Sequence, residues 1–235
     1  MSRQLLLRND RALVTGAGQG IGQAIARAIE AEGAKVLAVD RKDFDLSLPG
    51  SALALVEYAI KKLKTISLFV HAAAPARREE QTALAVTEAQ WREMLEVNLN
   101  AGFLIAQALG RHMRERKLRG RILFVTSLHS HSPRNLPHYS ASKAGQTMVM
   151  QELARALGPS GIRVNAIAPG AVPGAGFKGS PDLVAKIALK RFGKPQDIAP
   201  MAVAILSEKY GAYMTGATVV VDGGIALYNW LEASP

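Results

Sequence analysis

Short runs of branched apolar residues alternate along this chain with longer stretches whose apolar positions recur every three or four residues. The short runs are "RALVTG" (11–16), "KVLAVD" (35–40), "ISLFVHAA" (66–73), "RILFVTS" (121–127), "IRVNAIAPG" (162–170) and "TVVVDGG" (218–224). Between them lie helical patterns over 20–32, 51–64, 88–117, 139–157 and 196–208. The short runs are nearly continuously apolar, which suits strands of a parallel sheet buried on both faces. Their alternation with helices predicts an α/β fold, a doubly wound parallel sheet in three α/β/α layers, with residues 1–235 forming a single domain. Ligands of such folds sit at the carboxyl ends of the strands, so those ends carry the functional reading.

Composition narrows the picture. The chain has 235 residues, of which 49% are hydrophobic and 20% charged, enough to bury a sizeable core. It has no cysteine, which excludes disulfides and thiol catalysis and fits a reducing, cytoplasmic compartment. No apolar run reaches transmembrane length, so no membrane partner is expected, and "QLLLRND" is too short for a signal-peptide core. The net charge is +10, densest in "RHMRERKLRGR" (111–121). That cluster closes an amphipathic helix, where cations are favoured. It holds no aromatic residue for base stacking, so no nucleic-acid partner is expected.

The first strand run ends in "TGAGQGIG", with Gly16, Gly18, Gly20 and Gly22 opening into a helix. Glycines let the backbone approach a phosphate, and the helix N-terminus offers N–H donors and the positive end of its dipole. The second run ends in Asp40, whose carboxylate can accept both ribose hydroxyls of an adenosine and would repel a 2′-phosphate. This predicts NAD rather than NADP, although Arg41 and Lys42 beside it are cations that suit a phosphate.

Past the fourth run, "YSASKAG" sets Tyr139 one helical turn before Lys143, on the same helix face. A lysine charge beside a phenol favours the phenolate, by roughly 4 kcal/mol at about 4 Å before desolvation. Such a tyrosine can exchange protons with a substrate. Tyr58 and Lys62 share the spacing but lie mid-helix, away from any strand end. Ser127 ends the run 121–127 close to Tyr139, so context selects Tyr139 and Lys143. His129, His131 and His138 flank this region without an acidic partner spaced for a metal, so no metal site is expected. His129 or His138 is instead expected to line the substrate pocket. Trp91 and Phe103 read as core, and Gly223–Gly224 as a turn.

In order, "TGAGQGIG", "VNLNAGF", "ILFVTS", "YSASKAG", "IRVNAIAPG", "RFGKPQDIA" and "TGATVVVDGG" resemble the short-chain dehydrogenases/reductases over nearly the whole chain. The resemblance implies a Rossmann-like fold and a hydride moved between NAD(P) and a secondary alcohol or ketone. By position it makes Tyr139 the general acid/base and Ser127 the hydrogen-bond partner of the substrate oxygen. Lys143 becomes the residue that holds the nicotinamide ribose, and Asn98 the one that holds a water in a proton relay to Lys143. The cofactor would lie against Thr15, Gly16, Gly18, Gln19, Gly20, Ile21, Gly22, Asp40, Arg41, Asp45, Leu46, Ala72, Ala73, Ala74, Tyr139, Lys143, Pro169, Gly170 and Val172.

The chain departs from the family pattern. Where the family has Asn-Asn-Ala-Gly it reads "HAAA" (71–74), which is expected to weaken the hydrogen bonding at that strand end. "PGAVPGAGFKG" lacks the usual threonine, leaving Val172 to offer backbone alone, and the lid segment 173–190 is short. Between Asp40 and the helix 51–64 there is no room for the usual crossover helix and third strand, since a parallel crossover needs at least about 10–12 residues. The second strand should therefore stand at the sheet edge, with Asp45 and Leu46 as the remaining wall of a shallower adenine pocket. The helices 88–117 and 139–157 carry more apolar surface than one sheet face can cover, and the family pairs them between subunits, so a homotetramer is expected. A small-molecule substrate is implied, and the basic stretch 111–121 leaves an acidic acyl carrier protein as a candidate partner. A second reading, a catalytically silent dinucleotide-binding sensor or scaffold, draws on the altered 71–74 segment.

Overall fold

A computed structural model of the chain describes residues 5–174 and 177–228. The residues outside it include Gln4 of the opening run, and Ala175 and Gly176 within the lid segment. The described residues form strands β1 (Arg11–Thr15), β2 (Lys35–Val39), β3 (Leu68–His71), β4 (Arg121–Val125), β5 (Arg163–Pro169) and β6 (Thr218–Val221). All neighbours pair in parallel, in the order β2-β1-β3-β4-β5-β6. The helices are α1 (Gly20–Ala31), α2 (Ser51–Leu63), α3 (Glu88–Leu95), α4 (Ala101–Glu115), α5 (Pro137–Leu157), α6 (Pro181–Ala185), α7 (Pro195–Leu206) and α8 (Glu208–Gly211).

Side chains alternate between the sheet faces, and both faces are apolar. Leu13, Phe69, Ile122 and Phe124 pack with α2, α4 and α5 on one side; Val14, Val70, Leu123 and Val125 pack with α1 and α7 on the other. These two cores bury the central strands β1, β3, β4 and β5, as their unbroken apolar runs require, while the edge strands β2 and β6 stay partly exposed despite theirs. Between β2 and α2 the chain makes turns alone, so the usual third strand and its crossover are absent there and β2 stands at the edge.

The stretch read as one helix over 88–117 has two α-helical parts joined by a π-helical segment, Glu96–Asn100. A capping box starts it: the Thr87 hydroxyl accepts from the Gln90 N–H while the Gln90 side chain accepts from the Thr87 N–H. Trp91 on α3 is 37% exposed, so it is not core; Phe103 is half-buried against the α2–α4–α5 side. Tyr58 sits on the outer face of α2 with the Lys62 ammonium 5.4 Å from its ring centre. Gly223 and Gly224 turn the chain after β6 with positive φ angles of 63° and 83°.

The amino-terminal edge of the sheet is held by buried charge. The Arg121 guanidinium meets the Asp10 carboxylate at 2.7 Å and donates to the Leu206 carbonyl at 2.9 Å. Arg163 donates to the carbonyls of Ile205 and Ser207 and lies 3.4 Å from Glu208. Arg121 belongs to the basic stretch 111–121, and His112 of that stretch is also buried, within 3.3 Å of the Ile66 amide. Part of that cluster is thus internal structure rather than a solvated helix end.

Candidate active site

At the carboxyl edge of the strands lies a cleft of about 580 Å³. Its lining includes Thr15, Gly16, Gln19, Gly20, Ile21 and Gly22 from the first turn, and Asp40, Arg41, Asp45 and Leu46 from the end of β2. Ala72, Ala73, Ala74, Ser127, Tyr139, Lys143, Pro169, Gly170 and Val172 complete the expected set. Two expected residues lie outside the lining. Gly18 stands behind Asp40: a Cβ there would come 1.8 Å from an Asp40 carboxylate oxygen, so its bareness makes room for that side chain. Asn98 is fully buried in the π-helical segment.

The cleft fits a dinucleotide by its own geometry. The N-cap of α1, Gln19, offers no side-chain cap, so the first N–H groups of the helix face the cleft unpaired within it. Gly20 adopts φ +58° with nothing within 4 Å of where a Cβ would stand, so backbone and open space meet at the helix N-terminus. A Cβ on Gly16 would come 2.6 Å from the Ala73 backbone, so the first turn and the end of β3 lie against each other. Beyond Asp45 and Leu46, the adenosine end is also walled by Phe44 and Leu55. There α2 comes directly to the cleft because no crossover intervenes. Arg41 donates to Asp45 at 3.1 Å and to Glu93 at 3.2 Å, and its backbone N–H reaches Asp40 at 2.8 Å.

At the other end α5 begins with Pro137, which fits a first helical turn. It presents Tyr139 and, one turn on, Lys143, whose ammonium lies 5.7 Å from the Tyr139 ring centre. Lys143 is buried and donates to the Val125 carbonyl at 2.8 Å and to the Gln146 side-chain oxygen at 2.9 Å. Burial, with Arg77 adding repulsion, pushes its pKa down to about 7. The Ser127 hydroxyl oxygen accepts from the His129 N–H at 3.3 Å, which leaves its own proton to donate. His129 packs edge-on against the Tyr139 ring at 5.0 Å, and burial with the charges of Arg77, Arg134 and Lys143 holds its pKa at about 3.

Two expectations change here. Neither His129 nor His138 lines the cleft: His129 stands behind Tyr139, and His138 is buried against Gln81. Nor is hydrogen bonding at the β3 end weakened by "HAAA". An imidazole offers a group on either side, and His71 uses both. Its Nδ1 meets the Thr15 hydroxyl at 3.0 Å, and its Nε2 meets the Val97 and Asn98 carbonyls at 3.2 Å. Those carbonyls accept, so Nε2 carries the proton and the Thr15 hydroxyl donates to Nδ1. Burial pushes the His71 pKa down to about 3, keeping the ring neutral.

Gln146 is a site residue that the sequence reading passed over. It is fully buried, and its Nε2 donates to the Asn98 carbonyl at 2.6 Å while its oxygen accepts from Lys143. The side chain of Gln146 thus forms the link between Asn98 and Lys143. The Asn98 side chain points elsewhere, donating to the Ser142 hydroxyl at 2.8 Å. A polar residue in the helix, one turn beyond Lys143 and two beyond Tyr139, was the available signal.

Residues 43–226 match the family model described as Enoyl-(Acyl carrier protein) reductase. The chain is 31% identical to glucose 1-dehydrogenase 2 of Bacillus subtilis (strain 168), covering 94% of this chain and 96% of that one. It is 33% identical to carbonyl reductase [NADPH] 2 of Sus scrofa, over 91% of this chain and 95% of that one. The structure of 3-ketoacyl-(acyl-carrier-protein) reductase from Brucella melitensis complexed with NADH superposes with a TM-score of 0.88. The two are 29% identical, over 94% of this chain and 99% of that one. The chain belongs to the short-chain dehydrogenase/reductase family. It is an NAD(P)-dependent oxidoreductase that moves a hydride between the cofactor and an alcohol or carbonyl compound, which sets aside the silent sensor reading. Among the described residues, no helix is long and apolar enough to cross a membrane.

Proposed function

We propose that this enzyme oxidises a small secondary alcohol, or reduces the matching ketone, with NAD as cofactor and Tyr139 as general acid/base. The reading is carried by the convergence of Ser127, Tyr139 and Lys143 at one end of a cleft whose other end is built for a dinucleotide. When bound, the nicotinamide supplies the hydride acceptor or donor. The Ser127 hydroxyl donates to the substrate oxygen. In oxidation Tyr139 takes the proton from that oxygen as the carbinol carbon gives up its hydride; in reduction it returns it. The Lys143 ammonium stabilises the phenolate and holds the nicotinamide ribose. The Gln146 amide orients Lys143, having an acceptor for it and a fixed donor of its own.

At the far end, the open N-terminus of α1 takes the pyrophosphate and Asp40 the adenosine ribose. NAD is favoured because Asp40 would repel a 2′-phosphate and Arg41 is already engaged by Asp45 and Glu93. Half-buried Phe103 and Leu104 on α4, with exposed Met148 on α5, support a homotetramer built on these helices, in a cytoplasmic setting. The test is a turnover screen of secondary alcohols and ketones with NAD and with NADP. A higher kcat/KM with NAD supports the assignment; a preference for NADP would overturn the reading of Asp40 and promote Arg41.

A further inference from the structure

The charges along the cleft are segregated. Its lining carries three carboxylates, Asp40, Asp45 and Glu93, and all three gather around Arg41 at the adenosine end. At the reacting end the described lining residues include two cations, Arg77 and Lys143, and no carboxylate. Lys143 has two acceptors of its own. Arg77 is half-buried and held by rings alone: its guanidinium carbon lies 4.6 Å from the Tyr139 ring centre and 5.4 Å from that of Phe177. No ion pair or hydrogen bond engages its side chain among the described residues. Aromatic faces attract a cation but supply no lone pairs in the plane of the guanidinium, so its five N–H donors meet no acceptor among the described residues. Arg77 and Lys143 also repel each other, which contributes to the lowered pKa of Lys143. A bound anion would relieve both deficits at once.

We propose that Arg77 anchors a carboxylate carried by the substrate, so that the enzyme acts on a hydroxy acid or its oxo acid rather than on a neutral alcohol. The inference rests on the oxidoreductase reading above and narrows it to a substrate class. A lone guanidinium fork matches a single carboxylate in two parallel hydrogen bonds. The same placement disfavours an acyl group on a carrier protein, whose thioester is uncharged near the reacting carbonyl.

The test compares matched pairs: acetoacetate with ethyl acetoacetate in reduction, and D-gluconate with D-sorbitol in oxidation, each with wild type and Arg77→Gln. Wild type should favour the carboxylate member by at least about tenfold in kcat/KM, and the variant should lose that preference mainly through KM. Succinate, which has no carbinol or ketone to react, should quench the fluorescence of NADH bound to wild type and bind at least about tenfold more weakly to Arg77→Gln. Three results would overturn the proposal: equal losses for both members of a pair, as expected if Arg77 acts on the Tyr139 phenol alone; a preference for glucose 6-phosphate over gluconate; or succinate binding unchanged by the substitution. If no alcohol or ketone is turned over, the reading of the reaction fails, and the succinate titration still decides the role of Arg77.

Discussion

At the amino-terminal edge of the sheet Arg121 and Arg163 are buried, and each meets a carboxylate and backbone carbonyls. At the carboxyl-terminal edge Arg77 and Lys143 share the reacting end of the cleft, where none of the described lining residues is a carboxylate. Both edges take cations out of water, which is costly unless the charge is paired. At the first edge the pairing is complete within the chain, and the result is rigidity. At the second Lys143 has the Val125 carbonyl and the Gln146 side chain, and on the proposed reading the remaining pairing is left to a phenolate, a cofactor and a substrate. On the proposed reading, the difference sorts cations by purpose: one paired within the chain holds structure, and one without such a pair marks where a ligand would bind.

The sharpest way to break the comparison is at the first edge. Arg121→Met leaves the mostly buried Asp10 carboxylate with the Ser67 hydroxyl but without its guanidinium, and should cost about 3 kcal/mol of stability, read from urea unfolding. Next comes the second edge: Tyr139→Phe should cut turnover at least about a hundredfold while leaving the urea midpoint near that of wild type. A large loss of stability there would erase the distinction between the edges.

The neutral His71 beneath the cleft gives a third contrast. Its folded pKa of about 3 lies below the ordinary 6.5, so below pH 6.5 the unfolded chain takes up a proton that the folded chain refuses. Stability therefore falls as pH drops through the window from 6.5 to about 3, by about 2 kcal/mol between pH 7 and pH 5 from this residue alone. His71→Asn should flatten that slope in urea titrations, with His112, His129 and His138, all lowered by burial, left to supply the rest. A smaller effect belongs to the adenosine end. Asp40→Ala should raise the KM for NAD about tenfold and reduce discrimination against NADP, checked by kinetics with both cofactors. Smallest of all, Tyr58→Phe should change turnover and stability by under about 0.5 kcal/mol, because Tyr58 shares the spacing of Tyr139 but not its place at a strand end.

Much of this was legible in the chain. The strands follow from apolar runs, and the edge place of β2 and the missing third strand from the family resemblance set against the short span between Asp40 and Ser51. The glycine turn, Asp40 and the Tyr139–Lys143 pair follow from strand ends, and the rest of the cleft lining from the family resemblance. What escaped were features set by neighbours distant in sequence. The π-helical turn at Glu96–Asn100 continues an ordinary helical pattern, and its carbonyls are fixed by His71 and Gln146, 25 or more residues away. His71 looked like a loss because the sequence shows a missing amide and not the three acceptors and donors around the ring. Arg77 looked like one arginine among many in a basic chain, since sequence does not reveal which cations lack a counter-charge. Trp91 had core spacing, yet α3 leaves it facing outward.

The bare connection between β2 and α2 bears on how this chain can change in length. A strand at the sheet edge has one ladder, so a unit beyond it can be lost without unpairing anything else. Arg41, Lys42, Asp43, Leu48, Pro49 and Gly50 are exposed there, and Gly50 turns the chain with φ +80°. Lengthening such a surface connection costs little, about 0.6 kcal/mol for each doubling of the loop. The segment 41–50 is thus a joint: a place where material can be removed or grafted, the adenosine wall reshaped, and the reacting end left as it stands.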